Sequence, residues 1–368
     1  MCRSVIFQKI RKSINHPLAT HTTKKLQRGI FMAKRMGNRT ILFETPPYIL
    51  SYGAVGGKKE GEGPLGKDFD RIFPDAYLGK PSFEVAESEL QKQSLTVAME
   101  KGGIAPHQID CLFAGDLLNQ CVGSTLGLAS FGIPQVGIYG ACSTMALGIS
   151  LASCFVETGL SKIAGAVTSS HFCSSERQFR FPLEYGGQRP QVASWTATAS
   201  GSILLSQQPT PIAVKGVTFG TVQDLGVKDA NNMGAAMAPA AAHTITHFLE
   251  DTRLAPTDFD MILTGDLGAV GSSLVRELTA KNGYDIAPVQ RDCGLMIYHI
   301  EEQDVHAGGS GCGCSAGVLC SRILNQLKQG NLKRILFVAT GSLHSPTIVQ
   351  QSIPIPGIAH AVWLEHEG

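Results

Sequence analysis

The chain contains the same phrase twice. Leu112-Phe113-Ala114-Gly115-Asp116-Leu117 returns as Ile262-Leu263-Thr264-Gly265-Asp266-Leu267, an offset of 262 − 112 = 150 residues. The lead-ins match too: Ile104-Ala105-Pro106 with Ile109-Asp110, then Leu254-Ala255-Pro256 with Phe259-Asp260. Further on, Gly140-Ala141-Cys142-Ser143-Thr144 opens an apolar run ending at Gly159, Lys162 and Val167-Thr168. Gly311-Cys312-Gly313-Cys314-Ser315 opens another, ending at Gly330, Lys333 and Val338-Ala339-Thr340. That offset is 311 − 140 = 171, so the second copy carries an insertion of about 20 residues. A duplication spanning over 100 residues implies two similar α/β halves, not a short stacked repeat.

Periodicity fills in the halves. A helix is expected over Ser82–Lys101, ended by Gly102-Gly103, then a strand at 110–115 and a helix from Ser124 to Phe131. A buried strand at Val136–Tyr139 should lead through a sharp Gly140-Ala141-Cys142 turn into a buried helix at 143–157, followed by a strand at 162–168. Ser169–Ala193 reads as an irregular, functional loop. A strand at 197–206 and a junction at 207–211 close the first half. The second half repeats the order: helix 239–249, strand 261–264, helix 272–281, Gly-rich turn 308–313, helix 315–329 and strands at 334–340 and 358–364. The expected division is 1–35, a basic extension, then halves at 36–206 and 207–368.

Charge is uneven. The first 35 residues hold nine Lys/Arg and no Asp/Glu, so the rest has 31 − 9 = 22 basic against 30 acidic residues, a net of −8. Such a body is a poor nucleic-acid binder. The basic stretch reads as translated upstream sequence: Gln27-Arg28-Gly29-Ile30-Phe31 precedes Met32, which is expected to be the true start, with Met36 the alternative. No apolar run has spanning character. Ten scattered cysteines without a secretion signal suit a reduced, cytoplasmic compartment.

Cys142 is the leading site candidate. At the start of a buried helix a thiolate would be stabilised, and backbone amides of the turn would face an oxyanion. His171 and His306 are the candidate partners, the second because it precedes the other Gly-rich turn. Arg177, Arg180 and Arg189 offer guanidinium forks to a carboxylate, or pair with Glu176 and Glu184. Gly309, Ser310, Gly311 and Cys312 would bring backbone close to a ligand. Cys312 and Cys314 lack the second pair a zinc site needs, so no metal is expected; His243 and His247, four apart, read as a half-exposed helix face.

These residues resemble the thiolase/ketoacyl synthase superfamily. Within it they resemble the stage V sporulation protein AD family, on Tyr139-Gly140-Ala141-Cys142-Ser143-Thr144, Ser170-His171-Phe172-Cys173, the run Glu176–Gly186 and Gly308–Ser315. The resemblance implies a five-layer αβαβα thiolase-like fold of two pseudo-repeated halves, usually a homodimer. It also implies binding of dipicolinic acid, or its calcium chelate, for uptake into the forespore, with membrane partners from the same operon at the inner spore membrane, and no further cofactor. Two departures count against catalysis. The Gly-His-Pro motif of thiolases is absent, the turn reading Gly311-Cys312-Gly313, and the His-Gln-Ala-Asn-type segment of condensing enzymes is replaced by Gly265-Asp266-Leu267-Gly268. A non-catalytic binder with a vestigial nucleophile is therefore expected. The rival readings are an acyltransferase using Cys142 with His306 or His171 as base, and a scaffold for membrane partners.

Overall fold

A computed structural model describes residues 34–179 and 189–368. The basic extension with its Met32 start, Arg180, Glu184 and Tyr185 lie outside the described residues. Ten strands carry the architecture: β1 (Tyr48–Gly56), β2 (Cys111–Gly115), β3 (Gln135–Gly137), β4 (Ile163–Ser170), β5 (Ala199–Ser206), β6 (Ile212–Thr218), β7 (Met261–Thr264), β8 (Gln290–Asp292), β9 (Arg334–Ser342) and β10 (Gly357–His366). Their order is β8-β7-β9-β10-β6-β1-β5-β4-β2-β3. Each set of five is therefore arranged third-second-fourth-fifth-first. In both sets the second strand pairs parallel to the third and fourth, and the fourth pairs antiparallel to the fifth. The sets meet where Tyr48 pairs with Ala213.

Seven helices complete the layers: α1 (Phe83–Gly102), α2 (Val122–Leu128), α3 (Thr144–Glu157), α4 (Phe172–Phe179), α5 (Met233–Thr252), α6 (Gly268–Lys281) and α7 (Cys312–Val318), the last continuing through a π turn to Lys328. α1 and α2 cover one outer face, against β1, β5 and β4; α5 covers the other, against β9 and β10, with α6 beside it against β8. Between the sheets lie α3 and α7. α3 touches β2, β4 and β5 on one side and β9 and β10 on the other. Burial on two faces explains why both are nearly free of charge. Met145, Ile149 and Ala152 of α3 and Ala316, Val318 and Ile323 of the α7 run are fully buried in one cluster. The five layers are α, β, α, β, α.

Local chemistry explains the boundaries. The Ser82 hydroxyl accepts the Val85 N–H at the start of α1, and left-handed Gly103 ends it. α5 begins two turns before the expected Pro239, because the Asn232 side chain caps it by accepting the Ala235 N–H. Proline is tolerated inside since α5 gains its stability by burying Ala236, Met237, Ala240 and Ala241. β3 is not a buried strand but the sheet edge: Val136 is 44% exposed. The segment expected to be irregular contains α4.

Candidate functional site

The Cys142 turn joins β3 to α3. Ala141 adopts φ +48°, a left-handed conformation unusual for alanine, which costs about 1 kcal/mol and holds the bend. The turn satisfies its own polar groups. Ser143 and Thr144 donate their backbone N–H groups to Gly140 O (3.0 Å) and Ala141 O (3.2 Å), and their hydroxyls donate to the same two carbonyls at 2.6 Å. These two amides are thus engaged within the turn. Cys142 is 5% exposed, packed with Leu117, Ala141 and Cys312. The exposed, activated thiol expected at a helix start is absent, because the turn faces inward. Gly341 explains how closely: a Cβ there would lie 2.3 Å from Gly140 O, so only glycine lets the end of β9 reach the turn.

What faces Cys142 is Asp266. It stands at the repeated Gly-Asp-Leu phrase and is 1% exposed. Its carboxylate accepts the Gly311 N–H (2.9 Å), the Ser310 hydroxyl (3.1 Å) and the Thr340 hydroxyl (2.9 Å). Burial, then the Asp266 charge, pushes the Cys142 thiol well above its ordinary value. Burial also raises Asp266, against the four side-chain and backbone donors that hold it down. Burial and the neighbouring carboxylate both work against ionisation of the thiol.

A narrow cleft, partly open to solvent, lies beside the thiol, with a cavity volume of about 30 Å³. Tyr139, Phe179 and His344 supply ring surfaces, and Ser175, Thr196, Ser310 and Ser342 supply hydroxyls. Glu176 lines it as well, its carboxylate accepting the Thr196 hydroxyl at 3.2 Å. The Ser175 hydroxyl is buried with no hydrogen-bond partner.

Of the residues singled out from sequence, Cys142 and Ser310 line this cleft. Gly311 borders it through its N–H to Asp266. Cys312 is buried beneath, its thiol donating to Ser169 O at 2.9 Å. Gly309 pairs with Trp195 in a two-residue ladder that delivers Ser310 to the cleft. His171, His306, Arg177 and Arg189 are elsewhere, and Arg180 lies outside the described residues. His171 Nε2 sits 2.7 Å from Ala76 O, and its ring lies against Phe83. His306 bonds to Pro190 O (3.0 Å) and Asp304 (2.9 Å). Arg177 is exposed and pairs with Glu84. Arg189 lies over Trp195 and donates to Asp304 O. Sequence reading missed His344, Thr196 and Ser342; Ser175 and Glu176 lie in the segment it read as a functional loop, where Glu176 was taken only as an ion-pair partner. A signal for His344 was present: it follows β9 much as His171 follows β4.

Behind the cleft lies a second acidic cluster. Glu87 of α1 is fully buried and accepts hydroxyls from Ser169 (3.1 Å) and Ser174 (2.7 Å). Asp116 accepts the Ser124 N–H (2.7 Å) and hydroxyl (2.6 Å). Burial, then the charge of Asp116, pushes Glu87 up to about 8.

Comparison with known proteins agrees with this architecture. Residues 37–365 match the model of the stage V sporulation protein AD (SpoVAD) family. The chain is 45% identical over 335 residues to stage V sporulation protein AD of Bacillus subtilis (strain 168), covering 91% of this chain and 99% of that one. Among solved structures it resembles 3-oxoacyl-[acyl-carrier-protein] synthase III of Aquifex aeolicus VF5 (TM-score 0.52, 12% identity, 87% of this chain and all of that one). It also resembles a point variant of Xanthomonas campestris OleA (TM-score 0.56, 13% identity, 87% of this chain and 98% of that one). At such identities these two show the fold alone, thiolase-like. The duplicated halves, the cysteine turn and the match along nearly the whole chain lead to one statement: this chain belongs to the stage V sporulation protein AD family.

Proposed function

We propose that the protein is a non-catalytic binder of dipicolinic acid, or its calcium chelate, serving uptake into the forespore. The pairing of Cys142 with Asp266 carries this reading. An acyl-carrying cysteine needs a thiolate and a base that takes its proton. Here a buried carboxylate opposes ionisation, and neither expected histidine reaches the cleft. The cleft's narrowness and its ring surfaces suit a planar pyridine, and its hydroxyls suit carboxylate oxygens. No Lys or Arg stands among the described lining residues, whereas Glu176 does. Calcium takes further carboxylate and hydroxyl oxygens, both of which the lining supplies, so its chelate suits the cleft.

Calorimetry on the full chain is the test. Dipicolinate with calcium is expected to bind one site, weakened about tenfold or more by Cys142→Ala. His306→Ala should leave affinity within about twofold, since that ring is engaged elsewhere. Absence of binding under every calcium condition would sink the proposal. Acyl transfer remains the second reading, because His344 shares the cleft with Cys142. A covalent adduct on Cys142 after incubation with acyl-CoA thioesters, seen by intact mass, would favour it.

The proposal extends to partners. Among the described residues no helix is long and apolar enough to cross a membrane. A peripheral place at the inner spore membrane would then rest on contacts with membrane proteins of the same operon. A homodimer is proposed across the β3 edge, where Val136 and Tyr139 are 44% and 46% exposed. Light scattering is expected to give twice the 39.1 kDa chain mass; a monomer mass at working concentration would overturn it.

A further inference from the structure

We propose that His243 and His247, on the outer face of α5, form a binding site for a divalent transition metal such as zinc. The two residues are one helical turn apart, so their side chains rise from the same face. Their Nε2 atoms are 3.2 Å apart. With metal–nitrogen bonds of about 2.05 Å, that separation gives an N–metal–N angle of about 100°, within reach of tetrahedral coordination without moving the helix.

The surroundings orient one of the two imidazoles for a metal. The Glu250 carboxylate lies 3.0 Å from His247 Nδ1. Holding a proton on Nδ1 leaves the Nε2 lone pair of His247 directed at its neighbour, the arrangement in which a carboxylate orients a metal-bound histidine. His243 Nδ1 is buried with no hydrogen-bond partner, so His247 Nε2 is the ring's one hydrogen-bond contact among the described residues. No group of three or more His, Cys, Asp or Glu gathers as a metal cluster among the described residues. Water therefore fills the remaining positions, making this an open site on solvent. It lies on an outer helix, apart from the Cys142 cleft, and does not depend on what that cleft binds.

The test uses the full chain, freed of chelators, titrated with zinc and with cobalt(II). One equivalent of zinc is expected to bind. His243→Ala and His247→Ala should each lower the affinity about tenfold or more, and Glu250→Gln by less. Cobalt should show a visible d–d absorption band without the ultraviolet thiolate charge-transfer band of cysteine ligation. Alanine suits a helix surface, and a thermal melt of each variant confirms folding. Zinc affinity within twofold of the parent in both alanine variants overturns the site. A thiolate band, or no binding up to about 1 mM metal, does so as well.

Discussion

An Asp266→Asn variant is expected to alkylate at Cys142 at least about ten times faster than the parent at pH 8. Thiolate is the species that reacts, and each unit of pKa changes its fraction about tenfold when the thiol is mostly protonated. Asp266 raises the Cys142 pKa through its charge and its hydrogen bond to the thiol. Asparagine removes the charge while its carbonyl can still accept from Gly311 and Ser310. Burial remains, so the gain is partial. Peptide mapping after iodoacetamide treatment of the native protein reads the result, with half-buried Cys121 as internal reference. Equal rates at Cys142 in parent and variant would show that Asp266 does not hold the thiol neutral. The case for binding over turnover would then lose its main support.

Glu87→Gln is expected to flatten the pH dependence of stability. Folding raises this carboxyl from 4.5 to about 8. The folded state therefore holds the proton more tightly than the unfolded state. The stabilisation is complete below pH 4.5 and is lost as pH rises through about 8. Between pH 6 and pH 8 this one group removes about 2 kcal/mol. Glutamine does not titrate, and the Ser169 and Ser174 hydroxyls can rotate to meet its amide. Asp292, pushed up to about 7 chiefly by burial, leaves some slope in the variant. Urea unfolding at the two pH values should show the variant losing about 2 kcal/mol less than the parent. Equal losses would mean that Glu87 is already ionised in the fold.

Much of the architecture was legible before the structure. The 150-residue repeat located β2 and β7, α1 was read to within a residue at either end, and the sharp turn before α3 was read from its glycine and cysteine. These are local signals: spacing, caps and runs of apolar residues. β1 and β6 went unread, because central strands buried on both faces lose the polar alternation that marks a strand. α5 was read short because a lone proline outweighed the alanine-rich pattern around it. His171 was chosen for its place just past the strand that follows the Cys142 helix, and His306 for its place before the second Gly-rich turn. Backbone carbonyls of Ala76 and Pro190, remote in sequence, hold them away.

The sequence by itself determined the duplicated α/β plan and the placing of Cys142 at a strand-to-helix turn, since both follow from patterns within a few residues. Only the tertiary structure decided what surrounds that cysteine. Asp266 is 124 residues away along the chain and Ser342 is 200 away, and the stacking of the two halves brings them in. Whether a thiol at such a turn is reactive depends on the charge and burial around it. Those come from side chains delivered by the other half of the molecule, which no local pattern encodes.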